Sequence, residues 1–388
     1  MQRRRVLQLA SLLAMRPDLA LGQSAVPSTV NGVEFGSLRG WLSNFYLWPY
    51  EKSISTVYPI PDLQSSGEMQ SPGEVRNLIR MLMETGSAAD VVQYNPNPAS
   101  PDHNRLLASG YLTDALFARR PFFLQFEHAN ATRFDPANDD GVHTKNMSDP
   151  ANRRVWFDAI DWMFWQVIWP NRSRYVTLNG RAIIYLWSVP QMSGDFASLL
   201  EETRTRYPVA FIGSVNLLDL PEDVNNLRTF RALDGFMEYM VYTKTVTPQE
   251  RVLGAISYER VAGQYFTNMS NLMDLTRVWA KENGRDYLFV GTMTHAFDDR
   301  LYPGRQNLPM YPKSLAEKEK IAIRLRDWMG RGLLVPVGPF TIVNELFEGA
   351  AVIPAECTSE TVTTSSRYVG CGYDRLNFSR DFFGLSNQ

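Results

Sequence analysis

Eight short runs of apolar, β-branched or aromatic residues recur along the chain, each bounded by Gly, Pro, Asn or Asp and separated by stretches of helical periodicity. The strand-like runs are Trp41 to Trp48, Asp90 to Tyr94, Pro121 to His128, Ala182 to Trp187, Val209 to Val215, Gly235 to Tyr242, Tyr287 to Thr292 and Phe340 to Asn344. Between them the spacing predicts helices over about 73–84, 103–118, 150–169, 195–206, 222–231, 258–282 and 314–331. Pro72 and Pro248 suit first turns, and Asp195 is placed to cap the helix that begins at Phe196. Strands joined by helices build parallel sheets, because a parallel return needs a crossover of about a dozen residues or more. Eight such units without a short repeat predict an α/β fold, a single (β/α)8 TIM barrel over residues 26–388 with long βα loops. A doubly wound sheet of eight strands would read almost the same way.

The two ends stand apart from this pattern. Arg3, Arg4 and Arg5 precede a short apolar stretch from Val6 to Met15, followed by the small residues Ala20, Gly22 and Ser24. Residues 1–25 therefore read as an export signal of twin-arginine character, which predicts a periplasmic or secreted protein. No other segment offers the roughly 18 uncharged apolar residues of a membrane span. Cys357 and Cys371 are the only cysteines and bracket a Ser/Thr-rich loop. In an exported protein they are expected to form a disulfide that staples the C-terminal tail, 357–388.

Charge narrows the partners. With 39 Lys+Arg against 41 Asp+Glu, and no basic stripe, nucleic acid is not an expected ligand. The four His are scattered and the two Cys lack a partnering cluster, so neither a metal nor another cofactor is expected. Oligomeric state is left open. The aromatic load is high, at 9 Trp, 17 Tyr and 21 Phe. Most will be core, but rings beside polar residues also suit the faces of sugars.

The sharpest chemical signal is the stretch from Pro339 to Glu356, which carries Glu345 and Glu348 and contains no Lys or Arg. In a continuing strand these two carboxylates would point to opposite faces; a turn, which Gly349 permits, would bring both to one cleft. Carboxylates in apolar surroundings are costly unless paired, and a desolvated pair separates in pKa into an acid and a base. A solvated strand end or a helix cap would use the same residues. Other candidates for substrate contact lie at or near strand C-terminal ends: Tyr46, Trp48, Tyr94, Glu127, His128, Trp187, Glu238, Tyr242, His295, Asp298, Asp299 and Asn344. Asp298 and Asp299 could equally pair with Arg300 and Arg305. Trp162, Trp165 and Trp169, spaced by three and four, read as packing of the helix layer.

Two carboxyl groups, aromatic platforms and no cofactor are the equipment of glycoside hydrolysis. The segment Asn344-Glu345-Leu346-Phe347-Glu348-Gly349 resembles the N-E-W-H-E-G motif of glycoside hydrolase family 99, the endo-α-mannosidases, and its related bacterial polysaccharide-locus proteins. Phe297-Asp298-Asp299, Asp234-Gly235-Phe236, Asn179-Gly180-Arg181-Ala182 and the aromatic opening Phe45 to Tyr50 resemble further pieces of that family in the same order, over roughly residues 40 to 356. The resemblance implies a metal-free retaining endo-α-glycosidase of (β/α)8 architecture acting on an oligo- or polysaccharide. It implies that Glu345 is the base on the sugar 2-hydroxyl, giving a 1,2-anhydro-sugar intermediate, and that Glu348 is the general acid and later the base that activates water. The chain departs from the motif at Leu346-Phe347, where the family has Trp-His, so the sugar is open between an α-mannoside and another exopolysaccharide. Two other readings fit the same residues: a conventional carboxylate pair using Glu127, Asp298 or Asp299 with Glu348, and a non-catalytic sugar-binding barrel in polysaccharide assembly or export.

Overall fold

The computed structural model describes residues 26–45, 72–94, 110–115, 117–126, 145–187, 189–214, 229–239, 247–253, 257–294, 323–325, 327–328, 341–344 and 374–383. Within them the eight predicted runs become strands β1 (Trp41–Phe45), β2 (Ser87–Tyr94), β3 (Phe122–Phe126), β4 (Arg181–Leu186), β5 (Val209–Gly213), β6 (Gly235–Met237), β7 (Leu288–Val290, resuming at Thr292–Met293) and β8 (Thr341–Asn344). Each pairs in parallel with the next, from β1 to β7, and β8 pairs with β1. Closure comes from β7, whose lower half pairs with β6 while Thr292 and Met293 pair with Thr341 and Ile342 of β8. The sheet is therefore a ring, the α/β barrel that the alternation predicted.

Helices cover the ring: α1 (Pro72–Glu84), α2 (Pro150–Trp162, continued by a π-helical stretch Met163–Ile168), α3 (Phe196–Arg206), α4 (Pro248–Leu253), α5 (Tyr258–Glu282) and α6 (Asp374–Phe383). Local chemistry starts several of them. Asp149 accepts from the Ala151 amide at 2.7 Å with Pro150 next to it, and Ser257 accepts from the Arg260 amide. Trp156 of α2 anchors the helix layer: its ring lies 5.5 Å from Phe126 and Phe196 and 5.9 Å from Phe211, and its Nε1 donates to Thr203 at 2.9 Å. Trp162, Trp165 and Trp169 are half-buried against the same core, as their spacing predicted.

Several expectations need correction. Residues 110–115 and 117–118 of the predicted 103–118 helix, with 119–120 after it, form turns, with Thr113 bonded to Gly110, Phe117 to Asp114 and Arg120 to Phe117. Gly110 sits at φ 71°, and Tyr111 and Arg120 are both drawn to the buried Asp90, so tertiary pairing overrides the helical pattern. Asp195 stands at the start of α3, but its carboxylate accepts from the Ser198 hydroxyl and makes no backbone cap. The stretch read as a tail contains α6. Cys357 and Cys371 lie outside the described residues, as does the region 1–25. Among the described residues no helix is long and apolar enough to cross a membrane.

The N-terminal ends of the strands are stitched by charge. Asp234, which precedes β6, accepts from Arg181 at the start of β4, from Arg204 of α3 and from the Phe211 amide. Burial alone would raise its carboxyl, but the two guanidiniums outweigh burial and hold it below the usual carboxylate range. Beside it, Asn179 (φ 53°) and Gly180 (φ 71°) form the tight turn into β4, and both their amides bond to the Glu34 carboxylate.

Candidate active site

Side chains alternate along a strand, so the outer contacts of a few residues settle which face the rest occupy. Phe126 of β3 and Phe211 of β5 meet Trp156 in the helix layer, and Tyr94 of β2 stacks on Trp162 of α2 at 5.5 Å. The residues immediately before Tyr94 and Phe126, Gln93 and Gln125, therefore face the barrel interior. Register extends this row: Gln93 pairs with Gln125 and Gln125 with Tyr185 of β4. On β1, Asn44 pairs with Val91, two residues before Gln93 and on the same inner face. Just past the ends of β5 and β6 follow Ser214 and Glu238, whose side chains are joined by a 2.7 Å bond from Ser214 Oγ to Glu238 Oε1.

These groups form a polar belt near the C-terminal ends of β1 to β6, the end where the sites of (β/α)8 enzymes are built. All are buried: Asn44, Gln125 and Tyr185 are 0% exposed, Gln93 2% and Glu238 3%. Glu238 Oε1 also accepts from the Tyr239 amide at 3.0 Å, and the Thr292 hydroxyl donates to the Glu238 carbonyl at 2.7 Å, tying β6 to β7. Burial pushes the Tyr185 phenol far above its ordinary range, and the neighbouring Glu238 charge pushes it the same way. The phenol consequently stays protonated, a neutral hydrogen-bond donor inside the barrel. Above the belt Trp187 is half-buried, its ring set edge-on to Tyr239 at 6.2 Å and 86°.

The residues singled out from sequence divide as follows. Trp187 follows the C-terminal end of β4 and Glu238 that of β6. Asn344 closes β8, where it pairs with Phe45 of β1. Tyr94 is fully buried and stacked on Trp162, so it packs the helix layer and cannot serve as a sugar platform; strand alternation turns it outward while Gln93 turns in. Glu345, Glu348, Tyr46, Trp48, Glu127, His128, Tyr242, His295, Asp298 and Asp299 lie outside the described residues. Asn44, Gln93, Gln125, Tyr185 and Ser214 were missed. A signal for three of them does exist: β1, β2 and β3 each end on an amide followed by an aromatic residue, Asn44-Phe45, Gln93-Tyr94 and Gln125-Phe126. Two of the resembling segments, Asn179 to Ala182 and Asp234 to Phe236, begin at the opposite end of the barrel, where Arg181 meets Asp234 at 2.9 Å. Their polar residues stabilise the barrel and lie away from the site.

The barrel with a polar belt at its C-terminal end defines the chain as a (β/α)8 protein of the architecture many glycosidases use. Among solved structures it is similar to a "glycoside hydrolase-like protein", with a TM-score of 0.62 at 11% identity, over 89% of this chain and 95% of that one. It is also similar to the GH99 endo-α-mannosidase of Bacteroides thetaiotaomicron, with a TM-score of 0.55 at 12% identity over 89% and 97% of the two chains. A second structure of that enzyme gives 0.53 at 11% over 88% and 95%. The chain thus shares its fold with these proteins over nearly its whole length. No family model and no curated protein matches the sequence.

Proposed function

We propose that the protein is a glycoside hydrolase related to family 99, exported to the periplasm or secreted, that cleaves an α-linked polysaccharide internally with retention of configuration. One observation carries the reading: β8 ends on Asn344 at the end of the barrel that bears the polar belt, and the E-x-x-E motif is what comes next in the sequence. The fold shared with the GH99 endo-α-mannosidase supports it independently.

In this proposal Glu345 takes the proton of the sugar 2-hydroxyl as O2 attacks C1, and Glu348 gives its proton to the leaving glycosidic oxygen as the C1–O bond breaks. Water then attacks C1 of the 1,2-anhydro sugar, Glu348 accepts its proton, and O2 recovers a proton from Glu345 as the three-membered ring opens. Two inversions at C1 give net retention, and both carboxyls end as they began. The experiment is a screen of the purified protein against α-mannan and bacterial exopolysaccharides, with the first-formed product anomer read by NMR. Glu345→Gln and Glu348→Gln are each expected to cost at least about 10²-fold in kcat while thermal unfolding is unchanged. Near-normal turnover in either variant, or an inverted product, overturns the assignment.

A further inference from the structure

We propose that Asn44 and Gln93 form a hydroxyl-reading wall, which holds an uncharged sugar ring by paired donor and acceptor bonds. The inference rests on the glycosidase reading and extends it to residues outside the E-x-x-E motif. Both side chains face the barrel interior on adjacent strands, and both are buried, yet Asn44 Oδ1 and Nδ2 and Gln93 Oε1 and Nε2 have no hydrogen-bond partner among the described residues. Leaving a buried polar atom unpaired costs about 1–3 kcal/mol, and Leu or Met would fill the same volume without that penalty. Two neighbouring amides carrying the cost on one wall point to a ligand that satisfies them.

The chemistry of the wall selects the ligand. An amide offers a donor and an acceptor side by side, and each hydroxyl of a sugar ring is itself both donor and acceptor. The place of the wall fits as well: Val343 of β8 pairs with Asn44, so the wall adjoins the strand that leads into Glu345. Glu238, farther round the belt, is by contrast already engaged by Ser214 and the Tyr239 amide. Ordered water is the other hydroxyl source that these amides would hold, and the test separates the two.

The full chain is titrated by calorimetry with α-linked mannotetraose and with maltotetraose, as wild type, Gln93→Met and Asn44→Leu, and each variant is melted. If the amides read sugar hydroxyls, each substitution weakens binding about tenfold, the worth of one good neutral hydrogen bond. The melting temperature then holds or rises, because no bond within the protein is lost. Unchanged binding with an intact melting temperature means that the amides hold water alone and overturns the proposal. A melting temperature lowered by several degrees in both variants means that the amides are bonded within the protein, and overturns it too. A wild-type protein that neither binds nor cleaves any glycan removes the glycosidase reading itself, and that failure is seen in the wild-type arm without any variant.

Discussion

Glu250 offers a test of the structure that needs no substrate. It sits in the first turn of α4 in a reciprocal capping box: Glu250 Oε2 accepts from the Thr247 amide at 2.9 Å and Thr247 Oγ1 accepts from the Glu250 amide at 3.2 Å. The same carboxylate reaches α5, where Oε1 accepts from the Ser257 amide at 2.8 Å and Arg260 donates to both oxygens at 2.9 and 2.8 Å. Burial opposes ionisation, but Arg260 and the amides of Thr247 and Ser257 outweigh it and pull the carboxyl from 4.5 to about 2. At 1.36 kcal/mol per pH unit that difference is at most about 3.4 kcal/mol; Arg260 is partly open to water, and screening there brings the figure to about 2 kcal/mol. The folded-state value is depressed, so the stabilisation is complete above about pH 5 and is lost as pH falls towards 2. Glu250→Gln should therefore lower stability by about 2 kcal/mol at pH 7, read from urea unfolding, and by progressively less at pH 4 and pH 3. A stability gap that stays constant from pH 7 to pH 2.5 would refute the reasoning, since it would show that the charge of Glu250 contributes nothing.

Asp234→Asn should cost about 3–5 kcal/mol, because it leaves Arg181 and Arg204 facing a neutral amide in a buried site; a fall of less than about 1 kcal/mol in the same unfolding assay would contradict the knot described at the base of the barrel. Cys357 and Cys371 are proposed to be joined: alkylation without reductant should leave the intact mass unchanged and reduction should add two adducts, with a loss of about 3 kcal/mol in stability. Labelling of both thiols before reduction would exclude the bond.

Much of the fold is legible in the residues because its causes are local. The eight strand runs become eight strands, and the helix predicted over 258–282 spans Tyr258–Glu282. The capping chemistry that starts it, Ser257 before Tyr258, lies within one turn. Where local pattern and distant partners disagree, the partners win. Residues 103–118 have helical spacing, but Asp90 needs Tyr111 and, just beyond, Arg120, and satisfying a buried carboxylate outweighs a few tenths of a kcal/mol per residue of helix propensity. Tyr94 was misread for a related reason. An aromatic ring at a strand end suits either face, and its direction is known only once Trp162 is seen beneath it.

The sequence by itself determined the eight strand runs, several of the helices between them and the strand that precedes the E-x-x-E motif, all of which follow from hydrophobic period and from hydrogen bonds within a turn or two. Only the tertiary structure decided that the sheet closes, because closure depends on β7 dividing its pairing between β6 and β8. It also decided that Asn44, Gln93, Gln125 and Tyr185 share one inner face, because strand register between distant segments sets which polar side chains become neighbours. That register is an agreement among segments far apart in the chain, and no local window contains it.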